Sequence, residues 1–441
     1  MRRAVPIVAL VLASGGAAFA NPLDVFGLGA RAQGLAGAHT AATTDSSANY
    51  YNPAALAAVP EKLQIDVGYQ VATPSLALGG KDQHVDATAG IATGLVAPGD
   101  LGRLHFAFGV ALFLPDERVT RVRSLPAQAP RFIYYDNRPQ RIFLGTNLAV
   151  RVLPGLFVGG GMAFMSRTKG DVILRGRVGF PDAEDTELRL GLDVDLVAVR
   201  YPQAGVLWQP RDWLRLGLSY RHEFQLELDQ GFVVRGNVGP KHDDPVLTDG
   251  YLAVRSISTD LFQPAQVTLG ASAELPAGLL ATLDLQWARW SRFRTPGSMV
   301  RLDYDLKDFN SLVMLPTAQP LGPAGFRDVL SPRVGVEKRL GLGAHAMFFR
   351  AGYAFEPTPV PEQRGETNLA DGDKHQASFG LGAELEAVHE AAPRHVTLDV
   401  SLTRIWVSRV QARKLDPAND VGDWVADGHL WSSSVTLRVG F

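Results

Sequence analysis

The chain has 441 residues, no cysteine, a formal net charge of -2, and ordinary shares of hydrophobic (46%) and charged (20%) residues. The near-neutral charge, with no basic face, argues against nucleic acid as a partner, and the absence of cysteine excludes a disulfide framework and thiolate metal sites. After residue 20 no run is apolar for the ~20 residues that a spanning helix needs, yet a transmembrane barrel hides in such a composition because its apolar outside and polar inside cancel.

Met1, Arg2 and Arg3 form a basic head, residues 5–13 are apolar apart from Pro6, and Ala18-Phe19-Ala20 is a small-x-small cleavage site. This pattern predicts a secretory signal peptide over 1–20 and export from the cytoplasm. Residues 21–60 are rich in Gly and Ala, show no strand alternation, and close on Asn49-Tyr50-Tyr51-Asn52-Pro53-Ala54-Ala55-Leu56-Ala57. If the remainder is barrel, the place for this segment is the lumen, as a mostly helical or irregular hatch. Pro53 fixes one backbone angle and gives up one donor, so Asn52, Pro53 and Ala54 are expected to form a bend against the inside of the wall near Gly109. The alternative is a turn that simply leads into the first strand.

Residues 61–441 read as strands. Leu63, Ile65, Val67, Tyr69 and Val71 alternate with Gln64, Asp66, Gly68, Gln70 and Ala72, and the same period recurs through the chain. The connections alternate in length: seven long and six short joints link fourteen strands. The short ones carry turn chemistry such as Pro98-Gly99-Asp100 and Leu153-Pro154-Gly155. An even number of antiparallel strands with short periplasmic turns and long outer loops is the plan of a bacterial outer-membrane barrel. The fold class is therefore all-β, a 14-stranded antiparallel transmembrane β-barrel with the hatch inside. The count requires residues 190–208 to run as one strand through Pro202; two strands there would break the parity. The last strand alternates up to Phe441, which looks like the C-terminal signal read by the barrel-assembly machinery, with outer-membrane lipids as surroundings. A secreted soluble β-protein is the competing reading.

The sequence resembles the FadL/TodX family of outer-membrane transport proteins for hydrophobic compounds. The resemblance rests on Gly34-Leu35-Ala36-Gly37-Ala38 followed by Tyr51-Asn52-Pro53-Ala54, on Trp287-Ala288-Arg289-Trp290-Ser291-Arg292-Phe293, and on Arg350-Ala351-Gly352-Tyr353 through Pro357-Thr358-Pro359-Val360 to Asp371, Asp373, His375 and Gly380. It implies a monomeric channel without cofactor or catalysis. Such a channel takes up long-chain fatty acids or aromatic hydrocarbons by passive diffusion through an internal pocket, with a lateral opening at a kinked third strand. Here that strand is residues 104–114, with Gly109 and Pro115 as candidate points of distortion. Ala55 departs from the glycine the family often carries there. The spacing of the hatch is partly like the branch that serves protein secretion or assembly, which is the alternative function. A barrel enzyme is the weaker one.

In the loops, Phe132-Ile133-Tyr134-Tyr135 and Leu312-Val313-Met314-Leu315 are apolar enough to collect a greasy ligand or to bury one another. Arg131, Arg138 and Lys307 stand beside them and would steer a carboxylate or meet lipid phosphate. Gly27-Leu28-Gly29 lacks the context of a dinucleotide loop, and the ten histidines form no metal motif. Asp193 with Asp195, and Asp284 with Gln286, share strand faces and are expected to line a polar lumen; no catalytic constellation stands out. Trp287, Trp290, Trp406 and Trp431 fall near strand ends, as an interfacial girdle would.

Overall fold

The computed structural model describes residues 22–60, 63–117, 129–132, 134–135, 141–179, 187–239, 247–293, 299–307, 324–386 and 395–441. The expected signal peptide, Ile133, Arg138, and Leu312, Val313, Met314 and Leu315 lie outside the described residues.

Fourteen strands form the wall: β1 (Gln64–Leu78), β2 (Thr88–Leu101), β3 (Leu104–Pro115), β4 (Phe143–Leu153), β5 (Leu156–Gly179), β6 (Glu187–Arg211) and β7 (Leu214–Arg221). The ring continues with β8 (Gln266–Leu275), β9 (Leu279–Ala288), β10 (Val329–Leu342), β11 (His345–Glu356), β12 (Lys374–Glu386), β13 (His395–Ala412) and β14 (Trp424–Gly440). Each strand pairs antiparallel with its neighbours in the chain order of the ring. The register Gln64↔Gly440 to Leu78↔Ala426 joins β14 to β1 and closes the barrel. Closure follows from the solvent: lipid offers no partner to a bare N–H or C=O, so a sheet survives there only without edges.

The alternation read from the sequence decides which way each side chain points. Along β1, Ile65, Val67 and Tyr69 face outward while Gln64, Asp66 and Gln70 are buried inside. Phe379, Leu381 and Leu385 repeat the outward pattern on β12. Trp287, Trp406 and Trp431 stand on the outer surface as expected, and the Arg404 guanidinium lies 5.1 Å from the Trp406 ring centroid and 4.9 Å from that of Trp431. Trp290 does not join them: the chain turns inward after β9, and its indole is buried under the outer loops.

Pro202 interrupts nothing. It pairs with Met162 of β5, and on its other side β7 reaches only as far as Gln203↔Arg221, so no ladder bond is asked of the missing N–H. The His222 N–H instead donates to the Pro202 carbonyl at 3.0 Å.

Two stretches read as long loops, 167–189 and 229–265, are largely strand. β5 and β6 continue past the wall as a hairpin, and Phe224–Gly239 lies parallel to the outer part of β5. Leu247–Gln263 pairs with that strand, and Met299–Asp305 pairs with Leu247–Gln263, giving a five-stranded sheet on the side of the long connections. Length hid it: strands that stand clear of the membrane have no bilayer face to enforce an apolar alternation.

The third strand is paired along both edges. β3 pairs with β2 from Gly90↔Pro115 to Leu101↔Leu104 and with β4 from Phe106↔Val150 to Phe113↔Phe143, without a register shift on either edge. The ladder therefore runs unbroken through Gly109 on both edges. Pro115 closes the strand, and Gly109 serves another purpose, described next.

Candidate functional site

Residues 22–60 occupy the lumen as three short helices, Pro22–Phe26, Ala30–Gly34 and Ala48–Tyr51, and a 3-10 helix, Pro53–Ala58. Gly27, Gly29 and Gly37 have φ of 77°, 83° and 76°, the left-handed region that permits such tight reversals. This hatch meets all fourteen strands, by two kinds of contact.

Against β2 to β8 it lies on a wall stripped of side chains. A Cβ on Gly109 would stand 2.5 Å from Asn49 Oδ1 and 2.7 Å from Leu56, and one on Gly159 would stand 2.6 Å from the Pro53 carbonyl carbon and oxygen. Gly94 faces Ser46, Gly205 faces Asn52, and Gly217 and Gly270 face Thr40 and Ala41 in the same way. Polar groups then fix the register. Asn52 donates to the Thr40 and Val206 carbonyls at 3.0 Å each and accepts from Ala54 N–H at 3.2 Å, while Gln203 and Asn147 donate to the Asn49 carbonyl at 2.8 and 3.2 Å. Asn52, Pro53 and Ala54 thus form a bend packed on the wall, with Pro53 seated at β5 and β6, while the neighbouring Asn49 and Leu56 fill the space at Gly109.

Against β9 to β14 and β1 bare wall continues, with Gly335 and Gly352 facing Leu35 and Gly380 facing Gly34, and ionic contacts are added to it. Arg31 of the hatch donates to Glu337 at 2.9 and 3.0 Å; Arg350 bridges Glu337 at 2.5 Å and Asp399 at 2.6 Å. Arg438 joins Asp66 at 3.2 Å and the hatch carboxylate Asp45, and Asp66 accepts from the Ser46 N–H at 3.0 Å. Asp284 is the lumen residue the alternation foretold, and it is spent on the hatch, accepting the His39 and Thr40 N–H groups at 3.0 and 2.9 Å. Burial by itself pushes the Asp45 carboxyl up, but Arg438, with His39 and Arg31, holds it below the ordinary carboxylate range. Burial takes the His39 imidazole down to about 3, so it is neutral, and burial raises the Tyr51 hydroxyl to about 12.

Above the hatch is a cavity. Its floor is Leu23, Phe26, Tyr50 and Tyr51; its sides carry Gln266, Gln286, Ser331, Arg333 and Gln376; its roof includes Tyr134, Tyr135 and Trp290. Arg333 is oriented by a 2.6 Å bond to the Gln286 oxygen, and Lys374 by Asp371 at 3.1 Å and Glu356 at 3.2 Å. The roof is stitched by a short parallel bridge, Arg131–Phe132 with Leu369–Ala370. Among the described residues no group of three or more His, Asp or Glu side chains is placed to hold a metal ion.

The structure distributes the expected ligand residues unevenly. Tyr134 and Tyr135 line the cavity; Phe132 and Arg131 are buried beside it in the bridge. Lys307 is not at the site: it is exposed and paired with Asp305 at 2.6 Å on the outer sheet. The floor residues, Arg333, Lys374 and Trp290 were missed as cavity lining, because nothing in a strand's alternation tells which inward residue lies above the hatch and which beneath it. Asp193 and Asp195 are exposed on the outer hairpin, away from the lumen.

Comparison with known proteins agrees with this architecture. No curated protein is recognisably similar in sequence. Among solved structures, a Pseudomonas aeruginosa FadL homologue superposes with a TM-score of 0.55 at 16% identity, covering 97% of this chain and 99% of that one. The CymD monoaromatic hydrocarbon channel gives 0.54 at 15% identity over 94% and 97% of the two chains, and the P. putida toluene transporter TodX 0.53 at 13% over 95% and 99%. Likeness at such identity concerns the fold. The profile of the outer membrane protein transport protein family (OMPP1/FadL/TodX) matches residues 7–436, so this chain is a bacterial outer-membrane β-barrel that belongs to that family of transport proteins for hydrophobic compounds.

Proposed function

We propose that the protein takes up long-chain fatty acids or aromatic hydrocarbons as a monomer, by passive diffusion from the outer loops into the cavity and then sideways into the bilayer. The closed floor carries this reading. Passage to the periplasm on that side would break the buried belt of Arg31, Glu337, Arg350, Asp399, Arg438 and Asp45, whereas a sideways route breaks neutral ladder bonds and strands no buried charge. The driving force is the transfer of apolar surface out of water, so no covalent chemistry is required. On β3 the inward residues Ala107, Gly109 and Ala111 are small, and Asn49 and Leu56 of the hatch lie against Gly109, so an aperture to lipid there takes both a parting of β3 from β4 and a shift of the hatch. Two structural neighbours, the toluene transporter TodX and the CymD monoaromatic hydrocarbon channel, support the aromatic class. Export through a signal at 1–20, insertion by the barrel-assembly machinery and contact of the outer belt with membrane lipids belong to the same reading.

Because the chain has no cysteine, a staple tests the exit cleanly. Val110 and Thr146 are paired across β3 and β4 on the outer face. Oxidised Val110→Cys/Thr146→Cys protein is expected to lose uptake of labelled toluene and oleate in cells, and reduction to restore it. Uptake that continues with the staple closed removes the exit from this seam. If cells expressing the unmodified chain take up neither compound better than cells lacking it, while an extracellular protein disappears on deletion, the transport reading gives way to the secretion one.

A further inference from the structure

The roof of the cavity contains a cage built for an aromatic ring, and the chain fills it with one of its own. Trp290 and Lys374 both line the cavity, and between them stands Tyr134. The Tyr134 ring meets the indole edge-on, with centroids 5.2 Å apart and planes at 89°, and the Lys374 ammonium lies 4.4 Å from its centroid. Both contacts draw on the quadrupole of a π system, which a saturated chain of the same volume lacks.

The two walls of the cage do not depend on the ring inside it. Trp290 is backed by Phe262 at 5.8 Å and Phe326 at 6.0 Å, and Phe293 packs on both of these at 5.5 and 4.5 Å. Lys374 is held by the carboxylates of Asp371 and Glu356, and Asp371 is fixed in turn by a 2.6 Å bond from the Thr358 hydroxyl. The ring, by contrast, is delivered by the short bridge of Arg131–Phe132 with Leu369–Ala370, two residues to a side. The walls are thus held by contacts other than those to the ring, so the cage keeps its shape when the ring leaves it.

We propose that Trp290 and Lys374 form a binding subsite for a monocyclic aromatic ring, and that Tyr134 occupies it in the empty channel as a built-in competitor which an aromatic ligand displaces. The proposal rests on the transport reading and adds to it a position, a chemistry and a reason why an empty cavity stays ordered. A ring entering the cage inherits both contacts, while an alkyl ligand of equal size gains volume only.

The test is binding of toluene and of methylcyclohexane, its saturated counterpart, to the purified full-length barrel in detergent. Tyr134→Ala is expected to bind toluene about tenfold more tightly than the unmodified protein and to improve on methylcyclohexane by less than about threefold. Tyr134→Phe, which keeps the competing ring, is expected to match the unmodified protein. Lys374→Met or Trp290→Leu placed in the Tyr134→Ala background is expected to abolish the preference for toluene; two routes to the same result guard against one variant failing to fold. Equal gains for both hydrocarbons, or no gain for toluene, would overturn the subsite and leave Tyr134 as filler. Failure of the unmodified protein to bind toluene, methylcyclohexane or oleate at all would instead strike at the transport reading.

Discussion

The hatch is held by two walls, one bare and neutral, the other partly bare and charged. From β2 to β8 the barrel offers glycines on which hatch atoms lie directly, the Asn49 and Leu56 side chains at Gly109, the Pro53 backbone at Gly159 and the Asn52 side chain at Gly205. From β9 round to β1 it keeps bare wall at Gly335, Gly352 and Gly380 and adds long charged side chains, as at Glu337, Arg350, Asp399 and Arg438. The first wall fixes shape and tolerates no added atom. The second fixes charge, and its members hold one another, so losing one strands the rest. A ligand route fits the first kind of wall better, because parting two strands there uncovers no ion.

The comparison can be broken first at its ionic centre. Arg350→Met leaves Glu337 and Asp399 buried with fewer partners, and a loss of about 3–5 kcal/mol is expected. Chemical unfolding of the refolded barrel, followed by its gel mobility with and without heating, would measure it; a loss below about 1 kcal/mol would mean that water enters and solvates the belt. The smooth wall comes next. Gly159→Val puts atoms where the Pro53 backbone lies, and an overpacking cost of about 1–3 kcal/mol is expected. The same substitution at Gly341, which has no neighbour within 4 Å of the added Cβ, is the control and should change little by the same measurement.

The smallest effect sharpens the view of the hatch itself. His39 is fully buried and neutral, its imidazole lowered to about 3, whereas the unfolded chain takes up the proton near 6.5. A base whose folded value is depressed contributes nothing above the unfolded value and costs stability as pH falls below it. The expected loss approaches 1.4 kcal/mol per pH unit between about 6 and 3. Asp45 has the other sign of dependence on its partners: its lowered carboxyl supports the fold at neutral pH, and that support goes only in stronger acid. His39→Gln should therefore flatten the pH dependence of thermal unfolding below pH 6. An unchanged slope would place the acid sensitivity elsewhere.

Much of this was legible in the chain. Alternation at Ile65, Val67 and Tyr69 told which face meets lipid, because a strand has period two and the bilayer rewards only one face. Loop parity supplied the number of strands, and Pro202 did not spoil it because it sits where one edge has no partner. The outer sheet was not legible: its strands are not disciplined by lipid, and their pairing to Met299–Asp305 joins segments far apart in sequence. Nor was the fate of Trp290, one residue short turn away from the girdle and yet turned inside.

Asn52, Pro53 and Ala54 show where the division falls. The amino-acid sequence by itself determined that these residues bend, since Pro53 fixes its own φ and Asn52 caps the turn with its own side chain. It also determined that glycine is plentiful, with 45 in the chain, and that the lumen is polar. Only the tertiary structure decided which glycines face the hatch, that Gly109 receives Asn49 and Leu56 where a kink was expected, and that Tyr134 stands between Trp290 and Lys374. Periodicity is a local property of one strand. Depth along the barrel axis and the pairing of distant loops arise only when fourteen strands close and a separate segment is laid inside them.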